Sequence, residues 1–91
     1  MRIKYFAYYR QITGCKDEEV PAPGTLGDLL RQLADRYGEK MREKLLSPDR
    51  LSLGSDAIVL VNGRHIAHLG MLEAPLTETD TVSIFPIVAG G

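Results

Sequence analysis

Thr25-Leu26-Gly27-Asp28-Leu29-Leu30-Arg31-Gln32-Leu33-Ala34-Asp35-Arg36-Tyr37-Gly38 is the stretch that decides the fold. Leu26, Leu29, Leu30, Leu33, Ala34 and Tyr37 recur at the i, i+3, i+4, i+7 spacing, so all six fall on one side of an α-helix. Thr25 offers an N-cap hydroxyl. Asp28, three residues on, resembles a capping box and favours the positive helix end. Gly38 suits the left-handed residue that closes a helix. The pattern predicts a helix over 26–37 with one apolar stripe, which needs an apolar surface to lie on.

Upstream, residues 3–9 predict a strand, with Ile3, Tyr5 and Ala7 on one face and Arg2, Lys4, Phe6 and Tyr8 on the other. Thr13-Gly14 marks a turn. Glu18 to Pro21 predicts a short second strand of a hairpin, with Pro21 and Pro23 placing it at an edge. Downstream, residues 39–47 predict a short second helix, followed by loop at Ser47-Pro48-Asp49 and Leu53-Gly54-Ser55-Asp56. Ala57-Ile58-Val59-Leu60-Val61 reads as a buried strand. Asn62-Gly63 is a tight-turn signal from which Arg64-His65-Ile66 pairs back. Gly70 to Leu76 connects, Glu78-Thr79-Asp80 turns, and Thr81 to Phe85 alternates around Val82 and Ile84 as the last strand.

One helix covers one face of such a sheet, so the class is α+β, with a mixed sheet of four to five strands. The helix is expected to carry the chain by a right-handed crossover to a strand parallel to the first. A hairpin, a crossing helix and further strands are the order of the β-grasp, or ubiquitin-like, fold. The expected organisation is a β-grasp domain over 1–84 and a flexible C-terminal tail over 85–91.

Composition narrows the function. The 91 residues make one domain with one core and little room for a deep private active site. Net charge is −1, with both signs mixed along the chain, which excludes an electrostatic footprint for nucleic acid or an anionic membrane. The single cysteine, Cys15, allows no internal disulfide. The longest apolar run, Ala57 to Val61, is too short to span a bilayer, and no signal-peptide pattern follows Met1. A cytoplasmic protein is the expectation.

The end of the sequence, Phe85-Pro86-Ile87-Val88-Ala89-Gly90-Gly91, carries the chemistry. Glycine averages about 7% of residues, so a terminal Gly-Gly pair alone is a weak signal. It gains weight behind a final strand. Without Cβ atoms, Gly90 and Gly91 let the backbone thread a narrow channel and leave the last carbonyl open to attack. Pro86 favours an extended exit.

Val61-Asn62-Gly63-Arg64, the segment Leu76-Thr77-Glu78-Thr79-Asp80-Thr81-Val82 and the ending Ile84 to Gly91 resemble the MoaD/ThiS family of ubiquitin-like sulfur carriers. Within it, the chain is most similar to small subunits of molybdopterin synthase. The similarity covers nearly the whole chain. It departs at Ile87, where the family often has a second proline, and at Thr79, where glycine is frequent. Neither touches the reactive end. The segment 39–56 is longer than in the compact thiamine-pathway members.

The resemblance implies that an ATP-dependent adenylyltransferase, like the ubiquitin-activating enzymes, adenylates the Gly91 carboxylate. A sulfur donor then replaces AMP to give a thiocarboxylate. The molybdopterin synthase large subunit receives the tail, and the sulfur passes to precursor Z. No cofactor is expected on the carrier itself, and no activity from the domain alone. The same tail would serve another sulfur acceptor, as in cysteine, tungsten-pterin or thiolation pathways, or a protein modifier conjugated through Gly91.

Gly91 is thus the reactive residue, with Gly90, Ala89 and Val88 as the tail that reaches an enzyme. Phe85 and Phe6 fall on the strand parity opposite Ile84 and Ile3, so they are expected on the uncovered sheet face as a partner-binding surface. His65 is expected to border it. His65 and His68 lack a third ligand at a fitting spacing and make no metal site. Cys15 reads as an incidental thiol, and Arg10, Arg31, Arg36 and Arg42 as solvated charges.

Overall fold

A computed structural model describes residues 1–87. Strand β1 (Arg2–Tyr5) is followed by helix α1 (Tyr8–Thr13), β2 (Asp17–Glu19), α2 (Leu26–Tyr37), α3 (Glu39–Leu45), β3 (Ala57–Val61), β4 (Arg64–His65), two 3-10 turns (Ile66–His68 and Met71–Glu73) and β5 (Thr81–Pro86). The five strands form one mixed sheet in the order β2-β1-β5-β3-β4.

Helix α2 spans the predicted 26–37, and its start is fixed by the predicted cap, the Asp28 N–H donating to Thr25 Oγ1 at 3.2 Å. Its stripe of Leu26, Leu29, Leu30, Leu33 and Ala34 is buried against the sheet residues Ile3, Tyr5, Val59, Val82 and Ile84. Enclosing each leucine stabilises the fold by roughly 2 kcal/mol. Gly38 has a positive φ of 93°, but its ψ of −169° lies outside the left-handed helical region. It ends α2 and starts α3 in one residue, so the two helices join without a loop.

Two expectations are corrected. The strand predicted over 3–9 stops at Tyr5, because Ala7 takes φ 54° and turns the chain into α1. Aromatic residues favour strands locally, but the Tyr9 ring is enclosed in the core and the chain must curl to place it there. The Tyr9 hydroxyl donates to the carbonyls of Asp56 and Lys44 at 3.1 and 3.4 Å. The second correction concerns the crossover. The parallel partner of β1 is β5, the last strand, whereas β3, which follows the helices, runs antiparallel to β5.

The hairpin turn lies at Asn62-Gly63 as predicted, with φ 52° and 81°, the left-handed pair that a two-residue turn between twisted strands requires. The Asn62 side chain also joins two turns. Its amide donates to Asp80 Oδ1 at 2.8 Å, and its carbonyl accepts from the Thr81 N–H at 2.9 Å.

The expected tail 85–91 starts inside β5. Ala57 pairs with Pro86, and the Ile87 N–H donates to the Asp56 carbonyl at 3.2 Å, so hydrogen bonds hold the chain as far as Ile87, three residues beyond 84. A central parallel strand, an antiparallel hairpin at each side and a helix across one face constitute the β-grasp arrangement.

Candidate functional site

β5 is the middle strand, so its alternate residues define the two faces. Val82 and Ile84 lie toward α2 with no exposed surface. Ser83 and Phe85 point the other way and remain half-buried. Register extends this open face across the sheet. Ile58 stands opposite Phe85, and Lys4, Ser83, Leu60 and His65 form a row across β1, β5, β3 and β4.

Phe6 follows β1, and its N–H donates to the Ile84 carbonyl at 3.1 Å, which carries the parallel register one step further. This sets its ring against Phe85 with centroids 4.1 Å apart and planes 11° from parallel. Such a stacked pair contributes about 1 kcal/mol beyond area burial. Arg10 borders it. Its guanidinium carbon lies 5.3 Å from the Phe6 ring centre, and its Nε donates to the Tyr5 carbonyl at 2.8 Å. Arg10 is therefore fixed at the edge of the aromatic pair rather than merely solvated.

The structure brings Phe6 and Phe85 together and puts His65 on the same face, two strands away from Phe85. The His65 side chain is exposed, and its Nδ1 accepts the Ala67 N–H at 3.0 Å, capping the first 3-10 turn. Gly91, Gly90, Ala89 and Val88 lie outside the described residues. Sequence parity found the two phenylalanines but missed Ile58, Leu60 and Arg10. The β3–β5 register and the helix α1 place these three, and neither leaves a local pattern.

The opposite side of the sheet holds a polar knot that the sequence did not indicate. Glu18, paired with Ile3 and so turned toward α2, accepts the Tyr5 hydroxyl at 2.7 Å and the Tyr37 hydroxyl at 2.6 Å, and pairs with Arg36 at 2.9 Å. Burial, with the neighbouring Glu18 carboxylate, pushes the Tyr5 phenol far up and the Tyr37 phenol to about 12. Both phenols stay protonated as donors. Cys15 is half-buried, with Sγ 4.0 Å from Glu18 Oε2 and 3.7 Å from Thr13 Oγ1.

The described residues place Ser47 Oγ 2.6 Å from Asp49 Oδ1 and the half-buried Cys15 Sγ 4.0 Å from Glu18 Oε2. Among them no group of three His, Cys, Asp or Glu is placed to hold a metal ion, and no helix is long and apolar enough to cross a membrane. The open face carries a stacked aromatic pair, Phe6 and Phe85, with Ile58 and Leu60 beside them on the neighbouring strand.

The chain matches the ThiS family over residues 3–91. Small archaeal modifier protein 3 of Haloferax volcanii is 33% identical over 93 residues, covering 100% of this chain and 98% of that protein. A Pyrococcus furiosus structure proposed to be molybdopterin converting factor subunit 1 is 30% identical, with a TM-score of 0.72 and coverage of 96% of this chain and 95% of that one. A chain of the BexX/CysO complex of Amycolatopsis orientalis is 26% identical, with a TM-score of 0.81, covering 99% of this chain and 98% of that one. By fold, by open face and by these likenesses, the chain belongs to the ThiS family, among the ubiquitin-like sulfur carriers and modifiers.

Proposed function

We propose that this chain is the sulfur-carrying small subunit of a molybdopterin synthase. The Gly91 carboxylate attacks the α-phosphorus of ATP on an adenylyltransferase and releases pyrophosphate. A donor delivering hydrosulfide then attacks the Gly91 carbonyl, the acyl–phosphate bond breaks and AMP leaves, and the thiocarboxylate remains after loss of a proton. The synthase large subunit takes the tail and moves the sulfur to precursor Z. Gly91 then returns as a carboxylate, its oxygen supplied by water. The carrier's own residues bind and present, Phe6 and Phe85 on the open face and Gly90, Ala89 and Val88 along the tail.

One observation carries most of this: the family match runs through Gly90-Gly91, and the central strand of the body leads to that pair. The likeness to a molybdopterin converting factor subunit favours the pterin as acceptor. The likeness to small archaeal modifier protein 3 favours a second outcome, an isopeptide bond between Gly91 and target lysines.

Incubation with ATP, the adenylating enzyme and a sulfur source tests the first step. Mass spectrometry is expected to show Gly91 gaining the mass of one oxygen-to-sulfur exchange, and the loaded chain with the large subunit to convert precursor Z. Loading without conversion, with higher-mass conjugates in cells that vanish on deleting Gly91, would establish the modifier instead.

A further inference from the structure

A cleft of about 240 Å³ opens between α1 and α3, lined by Tyr8, Gln11, Ile12, Lys40 and Lys44. Two of these residues touch Asp56, which also holds the start of the tail. The Asp56 carbonyl accepts the Ile87 N–H at 3.2 Å and the Tyr8 hydroxyl at 3.2 Å, and the Asp56 carboxylate pairs with Lys44 Nζ at 3.4 Å. The cleft thus adjoins the point where the chain leaves the sheet, beside the aromatic face rather than on it.

From Ile87 to Gly91 an extended chain reaches roughly 14 Å. An enzyme that takes Gly91 into an active site must therefore bring its surface within that distance of Ile87. Its rim then passes over what surrounds the exit: the Phe6–Phe85 pair and the α1–α3 cleft. The chemistry of the cleft defines what suits it. Tyr8 and Ile12 supply apolar wall, and the Lys44 ammonium lies 5.1 Å from the Tyr8 ring centre. Lys40 is exposed and has no ion-pair partner among the described residues. A short methylene stem ending in a carboxylate complements both halves.

Resting on the carrier reading, we infer that the α1–α3 cleft receives an aspartate or glutamate side chain of the adenylating enzyme, with Lys40 and Lys44 as its cationic partners. The cleft is a second docking element, beside the aromatic pair.

ATP–pyrophosphate exchange, driven by the carrier chain on its adenylating enzyme, tests this. The K40E/K44E double variant is expected to raise KM for the carrier roughly tenfold, with kcat held within about twofold of wild type. Lys40→Arg, which keeps the charge, is expected to retain the wild-type KM. Wild-type KM is also expected to rise with salt, and the double variant to lose most of that rise. Because Lys44 pairs with Asp56, Lys40→Glu alone, on an exposed side chain, reports the same direction with the fold undisturbed. Exchange with unchanged KM in both charge-reversed chains would overturn the docking and leave the carrier reading standing. No exchange from the wild-type chain would overturn both. Unchanged KM with altered carboxypeptidase trimming of the free chain would make the chain's own tail the occupant and overturn the proposal.

Discussion

The two faces of β5 are built from alternate residues of Thr81–Pro86 and serve opposite ends. Ile84 is enclosed beneath α2, whereas Phe85, larger and equally apolar, is only half-buried on the open side. Hydrophobicity alone therefore does not say which residue holds the fold. What separates them is whether a helix lies above. The covered face provides stability, and the open face leaves apolar area at the surface, where the proposed carrier role would use it.

The sharpest way to separate body from delivery arm is to delete Gly90-Gly91. Sulfur loading is expected to disappear while the melting temperature stays at the wild-type value. Loading by the shortened chain would erase the division. Adjacent substitutions in β5 test the faces directly. Ile84→Ala is expected to cost about 3–4 kcal/mol in urea unfolding, a large part of a small domain's stability of roughly 5–15 kcal/mol. Phe85→Ala is expected to leave a cooperative fold yet raise KM for the adenylating enzyme about thirtyfold, as loss of a central aromatic anchor does. If Phe85→Ala unfolds the chain as readily as Ile84→Ala, the two faces are not distinct.

Smaller effects probe the covered side. Tyr37→Phe takes one donor from Glu18 and is expected to cost about 1 kcal/mol in urea unfolding, with sulfur loading unchanged. The smallest effect is in acid. The Asn62 amide and the Thr77 N–H hold the Asp80 carboxyl below its ordinary value, and the Ala22 N–H does the same for Glu78. Carboxyls depressed by folding stabilise it fully above their unfolded values and lose that contribution as pH falls through the folded ones. Urea midpoints are thus expected to decline below about pH 4, and Asp80→Asn to flatten part of the decline.

Legibility followed the range of the interactions. Helix α2 was readable because its cap and stripe lie within the segment itself, and the Asn62-Gly63 turn because two left-handed residues are a local demand. Phe6 and Phe85 were readable from strand parity. Helix α1 was not, since Tyr9 earns its burial through Asp56 and Lys44, remote in sequence. The Glu18 knot was invisible for the same reason: Tyr5 and Tyr37 lie 13 and 19 residues away on either side. Sheet order also escaped, because the sequence does not mark that the last strand inserts between the first and the third.

That insertion bears on synthesis. A nascent chain released only as far as β4 has β1 and β3 but not the strand that joins them, so its two hairpins share no sheet. Pairing of Arg2 with Thr81 joins strands near opposite ends of the described residues, the slow kind of contact in folding. Folding must wait for Thr81–Pro86, the residues translated just before Gly90-Gly91. A translation product cut short before Thr81 therefore lacks both the strand that closes the sheet and the Gly90-Gly91 pair that follows it.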